Sequence, residues 1–82
     1  MKFELFTRAA IVADLPEHGL RRGDIVTIVE FLPANDRHPT GYVVEVFSVT
    51  GDTLDVLGLS ENQLMPLRSD AVPAMRELAE AA

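Results

Sequence analysis

Apolar and polar positions alternate along much of this chain, in short runs broken by glycine and proline. The first run sets Phe3, Leu5, Ala9, Ile11 and Ala13 at even spacing, with Thr7 as its interruption. A period of two belongs to a strand with one buried face, and it is cleanest over Ala9–Val12. Leu15-Pro16 ends the run, because proline offers no ladder donor and drives the residue before it toward extended geometry. In "HGLRRGD", Gly19 and Gly23 let the chain reverse, and Arg21, Arg22 and Asp24 keep that reversal hydrated. From Ile25 to Leu32 only Thr27 and Glu30 are polar, and Ile25, Val26, Ile28 and Val29 are β-branched, which suits a pleated surface. This is the second strand.

"PANDRHPTG" is a polar loop bracketed by Pro33 and Pro39. Tyr42–Val49 then sends Tyr42, Val44 and Val46 to one side and Val43, Glu45, Phe47 and Val49 to the other. "TGD" marks a tight turn joining this strand to Thr53–Leu59 as an antiparallel hairpin. "SENQL" reads as a short turn, with room for one turn of 3₁₀ helix, ahead of a brief strand around Met65–Leu67.

The tail has a different period. In "SDAVPAMRELAEAA", Ser69 and Asp70 are candidate N-caps and Pro73 falls in the first turn. Val72, Met75, Leu78 or Ala79, and Ala82 recur at helical spacing, and Arg76 lies four residues before Glu80. The pattern predicts a helix of about three turns, which is marginal in water unless its apolar stripe lies on something.

The fold class this implies is mainly β: a small five-stranded β-barrel over residues 1–68 with a short C-terminal α-helix in 69–82. Closure of the barrel, full or nearly so, removes exposed strand edges. Several strands are apolar on both faces, so one face fills the barrel and the other is covered by the tail or by another subunit. Phe31 and Phe47 read as core, whereas Tyr42 suits a rim, where its hydroxyl finds water or a partner.

Composition narrows this picture without changing it. A chain of 82 residues is one domain, and at this size folding hides only about 60% of the unfolded surface. A hydrophobic content of 48% supports a single core and excludes a disordered chain. The absence of cysteine removes disulfide scaffolds and thiolate zinc sites and suits a reducing compartment. No run approaches the roughly 18 apolar residues of a membrane span, and Glu4 and Arg8 interrupt the N-terminal apolar part, unlike a signal peptide. The expectation is a cytoplasmic chain.

Charge is informative in its distribution. The net charge is −6, with five Lys/Arg against six Asp/Glu in residues 1–41 and two against seven in residues 42–82. Nucleic-acid binding draws on clustered Lys/Arg, and the Arg21–Arg22 pair is the nearest approach to a cluster. The field favours a basic protein partner over nucleic acid.

Candidate catalytic chemistry is sparse. His18 and His38 lie in polar loops beside Glu17 and Asp36–Arg37. A metal site or acid–base pair would need those loops to converge and a third group to join them, so both read as solvated loop histidines. No Ser/His/Asp spacing, phosphate-binding glycine loop or dinucleotide fingerprint is present, and Gly19, Gly23, Gly41 and Gly51 read as turn glycines. We therefore assign no catalytic, metal or cofactor residue and expect a non-enzymatic protein.

The segments "LPEHGLRRGDIVTIVEF" and "GYVVEVFSVTGDTLDVLGLSENQLMPL" together resemble a small bacterial family, domain of unknown function 4926. The shared frame runs from "DLPE" through "GL-basic-RGD", "TIVE" and "GY-VEV" to "L-ENQL-PL", over about residues 3–67. The resemblance implies an SH3-like barrel, in agreement with the strand count, and brings no activity or catalytic residue with it. Val26 departs from the frame where such domains often carry glycine, adding apolar surface. The Arg22-Gly23-Asp24 tripeptide also occurs in integrin ligands, and "RRGDIVTIVE" is distantly similar to RNA-contacting barrels; the expected compartment and the acidic balance point away from both.

Glu45, Asp52, Asp55 and Glu61 make the hairpin region negative. Such charge serves solubility and edge protection, and it also suits docking of a cationic partner. With Tyr42 at a rim and Met75 and Leu78 on the helical stripe, the candidate partner-binding set is Tyr42, Glu45, Asp52, Asp55, Glu61, Met75 and Leu78. Asp55 is expected to share a strand face with Thr53 and Leu57. The function expected is a protein-interaction module, for instance an antitoxin or immunity-type protein that neutralises a basic toxin. The alternative is a self-assembling structural or accessory domain, with strand faces or tails packing between copies.

Overall fold

The computed structural model describes residues 2–78. Five strands form a single antiparallel sheet: β1 (Arg8–Ile11), β2 (Ile25–Leu32), β3 (Gly41–Phe47), β4 (Thr53–Ser60) and β5 (Leu64–Met65). Their spatial order is β4-β3-β2-β1-β5. Two 3₁₀ turns, Pro16–His18 and Glu61–Gln63, connect β1 to β2 and β4 to β5. Ser60 and Gln63 cap the second turn reciprocally, each side chain serving the other's backbone. Strand positions follow the period-two reading, and "SENQL" does contain a 3₁₀ turn. The last strand is shorter than expected, because Pro66 has no N–H with which to extend it.

The sheet is open, so the expected barrel is not closed by a ladder. No pairing joins β4 to β5 among the described residues, and the two residues of β5 spend their pairing on β1.

One face of the sheet is the core. Val26 and Ile28 of β2, Tyr42, Val44 and Val46 of β3, and Leu57 and Leu59 of β4 are buried with Ala9, Ile11, Leu20, Leu64 and Phe3. Val26 pairs with Ala9 across the β1–β2 ladder, so its side chain enlarges the interior rather than the outer surface.

Strict alternation along β2 would carry Glu30 inward with Val26 and Ile28. A β-bulge prevents this. Ile28 pairs with Val44 and Glu30 with Val43, leaving Val29 as the extra residue. The bulge reverses the facing order, so Glu30 stays exposed and Phe31, opposite Tyr42, packs against the core. Burying an unpaired carboxylate costs several kcal/mol, far more than a local kink in the ladder.

The expected tail helix is not observed. Residues 71–78 carry no helix, and the remaining positions, 79–82, lie outside the described residues. Asp70 does not act as a cap: it is held by Arg68, at 3.0 Å from Nε and 2.8 Å from Nη2. Val72 and Met75 are 88% and 81% exposed, so the stripe has no surface to stabilise it, and a helix this short does not persist alone. Arg76 instead reaches the β1–β2 turn, forming a two-pronged pair with Asp24 and donating to the Gly19 carbonyl at 3.4 Å.

Candidate functional site

The β3–β4 hairpin is built by the turn over Ser48–Asp52. Gly51 N–H donates to the Ser48 carbonyl at 3.0 Å, and Ser48 N–H donates to that of Asp52 at 2.8 Å. Gly51 then takes a left-handed conformation, φ 93°, that a side chain would strain. Ser48 Oγ accepts the Asp52 N–H at 3.0 Å, fixing the corner from within. At the far end Gly41 is required for another reason. A Cβ there would lie 2.5 Å from the Leu59 carbonyl oxygen, so only glycine allows β3 and β4 to approach this closely.

Register sorts the hairpin side chains. Val43 opposes Gly58, Glu45 opposes Val56, and Phe47 opposes Thr53, all on the face away from the core. The ladder shifts between Val46 and Phe47, with Leu54 as a second extra residue. Phe47 is 42% exposed, Leu54 46%, Val56 54% and Val49 80%. Four large apolar side chains thus stand in solvent within residues 45–56. Phe47 does not belong to the core as expected: it shares a parity with Glu45, and that parity was the signal in the sequence that identified its face.

The predicted carboxylates do not form one patch. Glu45 lies on the outer face, where it accepts the Thr53 hydroxyl. Asp52 sits in the turn and accepts from Thr50 Oγ1 at 3.2 Å. Asp55 opposes Val46 and so points to the core side of the rim, where it accepts His18 Nδ1 at 3.0 Å. The bulge at Leu54 separates Asp55 from Thr53; it shares a face with Leu57 but not, as expected, with Thr53. His18 is therefore a structural bridge from the β1–β2 loop to β4 rather than a solvated loop residue. No sequence signal joins residues this far apart. His38 is held within its own loop, donating from Nδ1 to the Pro39 carbonyl at 2.9 Å and accepting from Asn35 at 3.1 Å on Nε2.

Tyr42 and Glu61 are a pair in their own right. The Tyr42 ring is completely buried, not at a rim, between Phe3 (centroids 5.5 Å apart, edge-on) and Phe31 (5.6 Å). Its hydroxyl donates to Glu61 Oε2 at 2.6 Å and accepts the backbone N–H groups of Lys2 at 3.0 Å and Phe3 at 3.1 Å. Burial, and then the hydrogen bond to the Glu61 carboxylate, push the phenol pKa up, against a smaller opposite effect from the two N–H donors. A shallow depression beside Glu61, bordered by Lys2, Thr40 and Asn62, is open to solvent. Met75 and Leu78 lie on the non-helical tail, so they present no common stripe.

Among the described residues no group of three or more His, Asp or Glu side chains is placed to hold a metal ion. No helix among them is long and apolar enough to cross a membrane. The pattern of one family, described as "Domain of unknown function (DUF4926)", matches residues 5–66. The chain belongs to this family. The match runs from the first turn through β5 and excludes the tail, so the hairpin, Tyr42 and Glu61 all fall within the matched residues. No curated protein and no solved structure matches the chain.

Proposed function

We propose that this chain is a non-catalytic, SH3-like protein-interaction module that binds a basic partner through the outer face of its β3–β4 hairpin. The SH3-like reading rests on the strand order β4-β3-β2-β1-β5 and the 3₁₀ turn between β4 and β5. The functional reading rests on one observation: Phe47, Val49, Leu54 and Val56 are all exposed in a single hairpin. A solvated apolar group of this kind is costly unless a partner covers it. Glu45 and Asp52 stand beside it with no ion pair among the described residues, and the net charge of −6 sets the sign of the partner. A basic toxin is one partner of this chemistry.

The test compares the wild type with a Phe47→Ser/Val56→Ser variant, both as bait in native lysate at low salt. A stoichiometric basic partner retained by the wild type and lost by the folded variant supports the reading. Equal recovery by both, or no partner for either, overturns it. Light scattering at high protein concentration separates this reading from self-assembly, which predicts a wild-type oligomer that the double variant dissolves.

A further inference from the structure

An open sheet offers a partner two places: the free edge of β4, where a strand can add, and the outer face, where a helix can lie. The edge is guarded by side chains. The Val56 N–H points away from β3 and is taken by Asp55 Oδ1 at 2.8 Å. The Ser60 N–H is taken by Gln63 Oε1 at 2.8 Å. Asp55 is itself held in place by His18, and Gln63 by the reciprocal cap on Ser60. Strand alternation leaves Gly58, between them, as the edge donor without such a guard, and the bulge at Leu54 breaks the line of the edge at its other end. A strand added to β4 would have to expel both guards to gain a hydrogen bond or two, and inward-leaning charges and bulges are how sheets discourage such pairing.

The outer face has the opposite character. Val43, Phe47 and Val56 surround Glu45, because Val56 lies directly across from it and the other two lie two residues away on β3. Gly58, opposite Val43, adds no side chain to this face, and Leu32 Cδ1 lies 3.8 Å from where a Gly58 Cβ would be. Glu30, next to Val43 across the β2–β3 ladder, adds a second carboxylate to this face. The cation on the same row is Arg8, separated from Glu45 by Thr27.

Resting on the binding role proposed above, we infer that the occupant of this face is a cationic amphipathic helix of another protein, and that β4 is closed to strand addition. A helix meets the face through apolar residues at i, i+3 or i+4 and i+7, while its flanking Lys or Arg side chains reach Glu45 and Glu30. An acidic helix, including one from a second copy of this chain, would meet repulsion instead.

The experiment titrates the isotopically labelled full chain with three synthetic peptides. One is a Lys/Leu peptide patterned for a helix, the second has the same composition in strict alternation, and the third is a Glu/Leu helical peptide. The helical Lys/Leu peptide should bind with amide shifts at Val43, Glu45, Phe47 and Val56. Phe47→Ser or Glu45→Lys should weaken it about tenfold, the scale of one lost interface anchor, in variants whose amide spectra remain dispersed. If the alternating peptide binds more tightly and protects the Gly58 amide from exchange, the helix inference fails and the binding role stands. Equal binding of the Glu/Leu peptide also removes the inference. If no peptide's binding responds to either substitution, the hairpin face is not a binding surface and both readings fall.

Discussion

Tyr42→Phe removes one oxygen and tests how the N-terminal segment is fastened to the sheet. In the wild type that oxygen serves three partners: Glu61 Oε2, Lys2 N–H and Phe3 N–H. Phe3 is buried, so its N–H cannot turn to water without exposing the ring. A hydrogen bond to a charged group contributes about 1.5–3 kcal/mol and a stranded buried donor costs about 1–3 kcal/mol. Allowing for partial rehydration of Glu61 and Lys2, the expected loss is about 2–4 kcal/mol. A domain of this size has roughly 4–12 kcal/mol in total, so the melting temperature should fall by on the order of 10–30 °C. The check is thermal and urea denaturation followed by far-ultraviolet circular dichroism. The sign with pH also follows. The folded-state pKa of Tyr42 is raised above its ordinary value, so the stabilisation is complete below about pH 10 and is lost as pH climbs through the folded value. Because Tyr42 is the sole tyrosine and tryptophan is absent, tyrosinate absorbance reports this one group. A loss below about 0.5 kcal/mol, within the range of surface substitutions, or ionisation of the folded chain at the ordinary tyrosine pH, would refute the account.

Other outcomes follow from the sheet geometry. Deleting Val29 removes the bulge residue yet leaves Ile28 and Phe31 inward and Glu30 outward, so the domain should stay folded; deleting Val43 reverses the facing of one half of β3 and should abolish dispersed amide spectra. Gly41→Ala should cost at least about 2 kcal/mol in urea denaturation, because its Cβ meets backbone rather than a mobile side chain. A double-mutant cycle of His18→Ala and Asp55→Asn should give a coupling of about 0.5–1 kcal/mol near neutral pH, as expected for a partly exposed pair, and additive effects would show that the bridge contributes nothing.

Period-two patterning determined a good deal by itself. Tyr42, Val44 and Val46 share one side because successive side chains on a strand must point to opposite faces, whatever surrounds them. Gly51 marked a turn for an equally local reason, since its backbone angles exclude other residues. Phe47 faces outward for the same local reason, the parity it shares with Glu45, whereas the other departures depend on distant neighbours. Whether β2 runs straight or bulges at Val29 is decided by where Glu30 would otherwise go, which only the assembled core can penalise. The rim reading of Tyr42 failed because Glu61 and the N-terminal amides meet its hydroxyl inside, and the loop reading of His18 failed because Asp55 arrives from another strand. The tail had helical spacing but no surface to receive it, and Arg76 found Asp24 instead. Local periodicity constrains which side a residue faces; the chain's long-range packing alone settles what waits for it there.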